Sequence, residues 1–409
     1  MSRKNPFLGL GLSNWSQSFS ISEISSPPES PPPPSSSVDE RYRIIVGDIG
    51  SNNNIGAIYS YKLDGTDEII ITPSDGYSQY ISYMNMYLNG DYFGKAVAVG
   101  DSKIFVSSMF DDDNGNNSGS VYTYNLDGTG ETKIKPSDGS TGQVFGYSMD
   151  MRDGKIYVGA SAYANTSLQG SVYIFNSDGT GQTKIQASDG TVTDNFGSCV
   201  SVGPTKFAVG ATSANTIRGT KSGAVYVYNL DGTGETKIIP TGISTNHYIG
   251  EVSSVAINAS KVLIGDDKDD TNGSYSGAAF VYDLDGTNEF KITPSDGETY
   301  GSFGRSVGIG TNKLAVGAIN DGSPDVGAVY LYDLDGTNEL KITPSDSVAG
   351  SKFGTHIDII EDKIVIGAEG ANGGAVYVYN LDGTGEVKIT ASTNTKFYGR
   401  SVTVGIATA

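Results

Sequence analysis

One unit of sequence recurs seven times along the chain, and its clearest mark is an Asp-Gly pair. Successive aspartates of these pairs are 63, 51, 53, 54, 50 and 47 residues apart. A period of about 40 to 55 residues built from short strands is typical of a β-propeller, in which each repeat forms one blade. The sequence therefore predicts one closed array rather than several separate domains. The aspartates are Asp64, Asp127, Asp178, Asp231, Asp285, Asp335 and Asp382.

Each repeat carries four strand signals, as residues 95–135 illustrate. Alternating residues predict strands at Lys95–Gly100, Lys103–Ser108 and Ser120–Tyr124, and a short fourth strand at Thr132–Lys135. Valine and tyrosine alternate in a way that suits a sheet packed on both faces. The Asp-Gly pair between the third and fourth strands predicts a tight hairpin, because it supplies the positive φ angles that such a turn requires.

The two ends of the chain complement each other. Residues 397–405 read as a first strand with nothing after it, whereas residues 41–75 supply the later strands of a blade that lacks its first strand. Joining them gives a seventh blade that closes the ring and removes an exposed sheet edge. The predicted fold is therefore all-β: a seven-bladed propeller of four-stranded blades, with each first strand innermost beside a central channel.

The first 40 residues have no place in the blade count, so the sequence divides into an arm at 1–40 and a propeller at 41–409. Six of the fourteen prolines fall within residues 26–38, a composition typical of a stiff extended spacer. Apolar residues without a core of their own suggest an arm that anchors the protein to a virion or surface-assembly partner; a tail without a role is the alternative. The anchoring candidates are Phe7, Leu8, Leu10, Trp15 and Phe19.

Charge and cysteine content narrow the function classes. A net charge of −19 disfavours binding to nucleic acid or to anionic lipid, because both repel an acidic surface. The single cysteine, Cys199, allows no internal disulfide. No stretch approaches the roughly 18 to 20 apolar residues of a membrane span, and no export signal is recognised at the N-terminus. We expect a soluble protein with neither a nucleic-acid partner nor a membrane span.

The repeats resemble the FG-GAP family over residues 41–409. Phe-Gly pairs open the blades, with Ile249-Gly250 and Tyr398-Gly399 as degenerate versions, and Gly-Ala pairs close the second strands. The resemblance implies a propeller like that of integrin α subunits, in a family of mostly adhesive, ligand-binding or structural modules. The clear Phe-Gly pairs begin at Phe93, Phe145, Phe196, Phe303 and Phe353, and the Gly-Ala pairs at Gly159, Gly210, Gly317 and Gly367.

Calcium-binding members of that family carry a run of carboxylates between the first and second strands. Here those loops are short and poor in acids, so that site is not carried over, and no cofactor is predicted. Acidic loops do occur between the second and third strands, where Asp111, Asp113, Asp267 and Asp269 are weak calcium candidates. Solvated turns rich in Asp, Asn and Gly are the alternative.

Catalytic constellations are sparse in this sequence. The two histidines, His247 and His356, fall in different repeats, and Cys199 falls on a first strand where a small buried residue is expected. None of the common nucleophile, zinc or phosphate-loop motifs is present. The sequence therefore favours a protein without enzymatic activity. An acid pair in the channel remains open, because the sequence does not show how carboxylates are arranged.

A tyrosine-rich insert lies on the face predicted to carry the variable loops. The link from Gly76 to Asp91 is about ten residues longer than its equivalents. Tyrosine suits binding surfaces because its rigid amphipathic ring contacts sugars and proteins alike. The insert therefore predicts a binding surface, with a lid packed over the blade as the alternative. Its binding candidates are Tyr77, Tyr80, Tyr83 and Tyr87.

These features together predict a non-enzymatic structural or binding propeller. The first hypothesis is a virion protein, such as a phage fibre, decoration or host-attachment protein, located on a virion or extracellular surface. Its variable loops would contact a host-surface glycan or protein. The alternatives are a bacterial cell-surface or periplasmic FG-GAP adhesin and a glycan-active enzyme.

Overall fold

The structure is a computed structural model that describes residues 41–406, apart from 82–85, 163–166, 323, 347, 371–372 and 394. Residues 52–53, 78–81 and 86–89 are described by their backbone alone. The predicted arm, with its five anchoring candidates and the boundary at residue 40, lies outside the described residues and stays a prediction. Among the described residues, no helix is long and apolar enough to cross a membrane.

Seven antiparallel four-stranded sheets form the described part of the chain, and within each sheet the strands lie side by side in repeat order. The innermost strands are Phe93–Gly100, Phe145–Arg152, Phe196–Val202, Val255–Ile257, Phe303–Ile309, Phe353–Ile360 and Ser401–Ile406. The second strands are Lys103–Ser108, Lys155–Ala160, Lys206–Ala211, Lys261–Asp266, Lys313–Ala318, Lys363–Ala368 and Tyr42–Asp48. The third strands are Ser120–Asn125, Ser171–Asn176, Ala224–Asn229, Ala278–Asp283, Ala328–Asp333, Ala375–Asn380 and Ala57–Tyr61. The outermost strands are Thr132–Ile134, Thr183–Ile185, Thr236–Ile238, Phe290–Ile292, Leu340–Ile342, Val387–Ile389 and Ile69–Ile71. We number these sheets blades 1 to 7 in that order.

The ring closes as the sequence predicts. In blade 7 the C-terminal strand Ser401–Ile406 pairs antiparallel with Tyr42–Asp48, with Ile44 opposite Val404. This pairing hides the edge of the N-terminal strand inside a complete sheet. Two elements fall outside the blades: the short helix Ser51–Asn54 and the hairpin of Ser78–Ile81 with Met86–Gly90. The all-β, seven-bladed fold is confirmed.

The core lies between blades rather than in one place. Seven clusters of buried side chains each join one sheet to the next around the ring. The phenylalanine of each Phe-Gly pair anchors such a cluster: Phe93 is fully buried and meets Tyr122 edge-on at 5.3 Å between ring centroids. The next residue, Gly94, has a φ of 91° and bends the strand so that the ring turns inward.

In the Asp-Gly hairpins the aspartate and the glycine have different roles, whereas the sequence predicts a positive φ angle at both. Only the glycine has a positive φ, for example 81° at Gly128, and Asp127 does not. The aspartate acts through its side chain instead: Asp127 Oδ1 accepts from Thr129 N at 3.0 Å and from Thr129 Oγ1 at 2.6 Å. This is a type I turn followed by a left-handed glycine, the three-residue hairpin solution. The expected positive φ at the aspartate was wrong.

The topology gives the propeller two unlike faces. We call the turn face the side with the turns between the first and second strands and the seven Asp-Gly hairpins. The loop face carries the connections between the second and third strands and the links between blades. Each innermost strand begins at the loop face, so residues just after a Phe-Gly pair surround that end of the central channel.

Candidate functional site

Acidic side chains at the outer rim join neighbouring blades. Glu131 of blade 1 accepts hydrogen bonds from the backbone and hydroxyl of Ser74, at the end of blade 7, at 3.1 and 2.5 Å. The same glutamate accepts from Tyr124 of its own blade at 2.9 Å. An acidic residue is therefore shared between two blades and satisfies donors on both. Equivalent contacts to the following blade's acid or amide involve Ser137, Ser188, Thr241, Ser295, Ser345 and Ser392.

Blade 2 is the exception, and it changes two residues together. Gln182 replaces the glutamate, and Phe175 replaces the tyrosine whose hydroxyl would donate to it. Ser137 N still donates to Gln182 Oε1 at 2.8 Å. The loss of the tyrosine hydroxyl thus accompanies the loss of the glutamate charge, which is expected when the two side chains belong to one hydrogen-bond network.

The calcium candidates Asp111 and Asp113 form ion pairs with a lysine. Lys133 Nζ lies 2.6 Å from Asp111 Oδ2 and 3.0 Å from Asp113 Oδ2, and it also reaches Asp75 of the preceding blade at 3.0 Å. These three carboxylates raise the pKa of Lys133, even though burial alone would lower it. The cluster therefore already holds a cation that the chain itself supplies.

The other two calcium candidates, Asp267 and Asp269, contact different cationic side chains. Asp269 Oδ2 lies 2.6 Å from Lys291 Nζ, whereas Asp267 Oδ2 lies 3.7 Å from Arg305 Nη1. Burial raises the pKa of Asp267, and the bond to Lys291 lowers that of Asp269. Across the described residues, no group of three or more His, Cys, Asp or Glu side chains is arranged to hold a metal ion.

The tyrosine-rich insert forms a hairpin that contacts the short helix Ser51–Asn54 in the loop of blade 7. The backbones of Tyr80 and Tyr87 lie opposite each other, but their side chains, like all of Tyr83, lie outside the described residues. Tyr77 is 57% exposed, and its backbone N–H donates to Asp91 Oδ2 at 2.6 Å. Burial raises the pKa of Asp91 to about 6. One of the four binding candidates is therefore seen to present an aromatic ring to solvent.

Exposed large hydrophobic side chains concentrate on the loop face. Eight such residues occur among those described, and six of them lie in the loops and links of this face. The other two, Ile70 and Ile406, lie on the outermost strand and at the end of the C-terminal strand. Apolar groups grouped on one face of a soluble scaffold are typical of an interaction surface. The six are Tyr77, Val192, Ile217, Tyr275, Tyr300 and Phe397.

Two of these residues form a pair that sequence reasoning missed. Tyr275, in the loop of blade 4, and Tyr300, in the following link, stack at 6.0 Å between centroids with an angle of 19°. They are 48% and 60% exposed. Both have left-handed backbones, with φ of 52° and 65°, which bulky residues rarely adopt.

The equivalent link position in other blades shows that the fold itself does not require a tyrosine there. Gly142 and Gly350 occupy it in blades 1 and 5, with φ of 74° and 68°. Strain at a solvent-exposed aromatic is a recognised mark of functional sites. A tyrosine at a left-handed position that holds glycine, threonine or asparagine in other links was the available sequence signal.

The central channel is lined by the innermost strands of all seven blades and encloses about 970 Å³. Asp150 and Asp358 lie within it, and burial raises their pKa values to about 7 and about 6. Both carboxylates accept backbone N–H groups: Asp150 from Val202 at 2.7 Å and Asp358 from Val404 at 2.8 Å. They therefore bind the next innermost strand and hold neighbouring blades together.

The histidines and the cysteine occupy separate surroundings. His247 Nδ1 lies 2.7 Å from Asp266 Oδ2, which raises the pKa of the histidine. His356 lines the channel, and burial beside Lys95 lowers its pKa to about 4. Cys199 is buried, and burial raises the pKa of its thiol to about 11, so the reactive thiolate is disfavoured.

Comparison with known proteins identifies the repeat. The model of the family described as FG-GAP repeat matches residues 87–124, 129–175, 180–228, 287–332 and 337–379, together more than half of the chain. The chain belongs to the FG-GAP repeat family. Four of these matches join the outer strand of one blade to the first three strands of the next, and the match at 87–124 covers the first three strands of blade 1.

The FG-GAP matches skip residues 229–286, which contain the first three strands of blade 4. This blade carries Ile249 in place of phenylalanine, two more residues than the other blades between this position and the second strand, and the exposed Tyr275. Blade 4, whose first three strands lie outside the family matches, thus contributes to both the loop face and the channel.

Among solved structures, this FG-GAP protein is similar to a chain of the crystal structure of a nidogen/laminin complex. The likeness covers 90% of this chain and 100% of that chain, with 8% identity and a TM-score of 0.42. A comparison with curated protein sequences gave no match.

Proposed function

We propose that this FG-GAP propeller is a non-enzymatic binding module whose loop face attaches to a host-surface glycan or protein. The observation that carries the proposal is the placement of Tyr77, Tyr275 and Tyr300, exposed aromatic residues on the face whose loops differ from blade to blade. Variable loops held by a rigid scaffold are the usual place for recognition. Tyrosine contributes a large rigid contact with little entropy to lose.

The proposed setting is a virion or an extracellular surface assembly, such as a phage fibre or host-attachment protein. The support is the layout of the sequence, in which an apolar arm and a proline-rich spacer precede the propeller. In this arrangement the arm, through Trp15 and the neighbouring apolar residues, attaches to the assembly partner and the propeller is displayed. A bacterial cell-surface or periplasmic adhesin is the alternative setting.

Binding is tested with the purified full chain on an array of immobilised glycans. We expect a bound glycan whose signal falls at least tenfold in the double variant Tyr275→Ala/Tyr300→Gly, since the stacked pair is lost. The matched control removes a hydrogen bond from the turn face, Thr129→Val. An equal loss in the control variant would contradict the choice of face. If the full chain binds no glycan, glycan recognition is rejected, and binding to host cells then tests a host-surface protein as the ligand.

The setting is tested with an antibody against the purified propeller. Applied to a culture that produces the protein, it should label virus particles in electron micrographs. Label confined to the cell envelope would contradict the virion setting and favour the adhesin. Deleting residues 1–38 should give a folded propeller that no longer joins its assembly; normal incorporation would contradict the anchoring role of the arm.

A further inference from the structure

The residue directly after each Phe-Gly pair lies at the loop-face end of the channel, and it differs in every blade except two. All seven of these residues line the channel. The Phe-Gly pair before these residues is nearly constant, so they combine a fixed place in each blade with a variable side chain. We call this ring the channel mouth. Its members are Lys95, Tyr147, Ser198, Glu251, Arg305, Thr355 and Arg400.

Positive charge gathers at the channel mouth of a protein whose net charge is −19. The mouth residues Lys95, Arg305 and Arg400, with Lys352 beside them, face two lining carboxylates, Glu251 and Glu369. Arg305 pairs closely with Glu251. Glu369 is shared at longer range, 3.6 Å from Arg400 Nε and 3.8 Å from Lys352 Nζ. The cations therefore outnumber the carboxylates that line the same end of the channel.

Lys95 is the channel-mouth cation that takes part in none of these ion pairs. Among the described residues no carboxylate forms an ion pair with it, and its Nζ lies 5.2 Å from the ring centroid of Tyr147. Burial, followed by the nearby Arg400 and Arg305, lowers the pKa of Lys95 to about 8. A partly buried ammonium group that faces two guanidinium groups and pairs with no carboxylate is costly, and an incoming anion would relieve that cost.

We propose that the channel mouth binds an anionic sugar, carboxylated or sulfated, whose charged group pairs with Lys95. Arg305 of blade 5 and Arg400 of the neighbouring blade 7 would flank the anion, and the fork of a guanidinium suits a carboxylate or a sulfate. The ring of Tyr147 and the hydroxyl of Thr355 offer the apolar and polar contacts that a sugar ring requires. The cavity of about 970 Å³ is ample for a monosaccharide.

The deeper channel limits where the charged group sits. Asp150 and Asp358 line the cavity farther along their strands, and both are engaged by backbone N–H groups. When ionised, at and above about pH 7, these carboxyl groups repel an anion that moves past the mouth. The sugar is therefore held at the loop face, the surface named in the proposed function. The surface-glycan origin of this sugar rests on that function, whereas the anion site itself does not.

The experiment is titration calorimetry of the purified full chain with glucuronate, glucose 6-sulfate and glucose. We expect at least one acidic sugar to bind, and glucose to bind at least tenfold more weakly. Lys95→Met should weaken the acidic sugar at least tenfold, and Lys95→Arg should keep it within about threefold. The matched control is Lys103→Met, which removes a lysine of the same blade at the turn face, where it contacts Asn125.

A pH series adds a readout that mere structural damage would not produce. The titratable and charged groups around Lys95 are Arg305, Arg400, Glu369, His356, Cys199 and Tyr147. Because the lysine loses its proton near pH 8, affinity should fall between pH 7 and pH 9 in the wild type and stay level in Lys95→Arg.

Three results would overturn the anion site: neither acidic sugar binds at about 10 mM, glucose binds equally well, or Lys95→Met binds as the wild type does. The outcome separates from the proposed function. Acidic sugars that bind while the aromatic variants still attach to the glycan array would leave the channel site standing and reject the loop face. The reverse result would reject only the channel site.

Discussion

The turn face and the loop face are built by the same seven repeats, yet they differ in what stays constant. On the turn face every blade ends its hairpin in the same way, with an aspartate that accepts from a threonine two residues later, as in Asp127 and Thr129. On the loop face the equivalent positions range from Gly142 to Tyr300. Contacts that every blade repeats maintain the ring, and residues that a single blade changes are free to serve recognition.

The contacts at the outer rim show that the two partners of a repeated interaction change together. Where a repeated contact does change, as in Phe175 and Gln182, both partners change together and the blade interface is kept. At the channel mouth Glu251 and Arg305 pair with each other, whereas no carboxylate among the described residues pairs with Lys95. Four predictions test this comparison: three measure stability, and the fourth measures stability and binding separately.

The largest effect is expected from opening the ring. Ending the chain at residue 395 removes Ser401–Ile406, so Tyr42–Asp48 loses its pairing partner and a cluster of buried side chains becomes exposed. We expect the melting temperature to fall by more than about 10 °C, or cooperative unfolding to be lost, in calorimetry. Deleting residues 1–38 instead should change it by less than about 2 °C, and a large loss there would contradict the division into arm and propeller.

The next largest effect is expected at the rim. Glu131→Ala leaves the donors of Ser74 and Tyr124 without their acceptor, so the free energy of unfolding should fall by about 1 to 3 kcal/mol in urea titrations. The double variant Tyr124→Phe/Glu131→Gln copies the pair found in blade 2 and should cost less than Glu131→Ala alone. If the double variant costs more, the concerted change in blade 2 has another explanation.

A smaller effect concerns pH. Burial raises the pKa of Asp150 from 3.8 to about 7, so the folded state holds its proton more tightly than the unfolded state does. The stabilisation is complete below about pH 4 and is lost as the pH rises towards and through 7. Asp150→Asn should therefore show a smaller drop in melting temperature between pH 5 and pH 8 than the wild type. An unchanged drop would show that Asp150 does not titrate in this range.

The smallest effect on stability is expected at Tyr300. Glycine adopts a φ of 65° without strain, so Tyr300→Gly should leave the melting temperature within about 2 °C or raise it. Binding to the glycan found on the array should nevertheless fall, since the partner of Tyr275 is gone. A clear loss of stability would mean that the tyrosine supports the fold, and the loop face would then resemble the turn face after all.

The sequence predicted the fold from local features. The period of the Asp-Gly pairs counted the blades, and the complementary ends at residues 41–75 and 397–405 closed them. The role of the acidic loops was harder to predict, because no local sequence feature shows that Lys133 contacts both Asp111 and Asp113. The tyrosine insert was recognised by its length and composition, whereas Tyr275 and Tyr300 went unnoticed because each is a single residue in an ordinary loop.

By itself, then, the sequence determined the number of blades, the order of their strands and the closure of the ring, because turn chemistry and alternation act between residues that are close along the chain. Only the tertiary structure decided which residues meet across blades. Ser74 reaches Glu131 one repeat later, Tyr275 stacks on Tyr300 from another connection, and Lys95 faces Arg305 and Arg400 from other blades. Such contacts depend on the curvature of the closed ring, which brings separate repeats to one rim, one face and one channel.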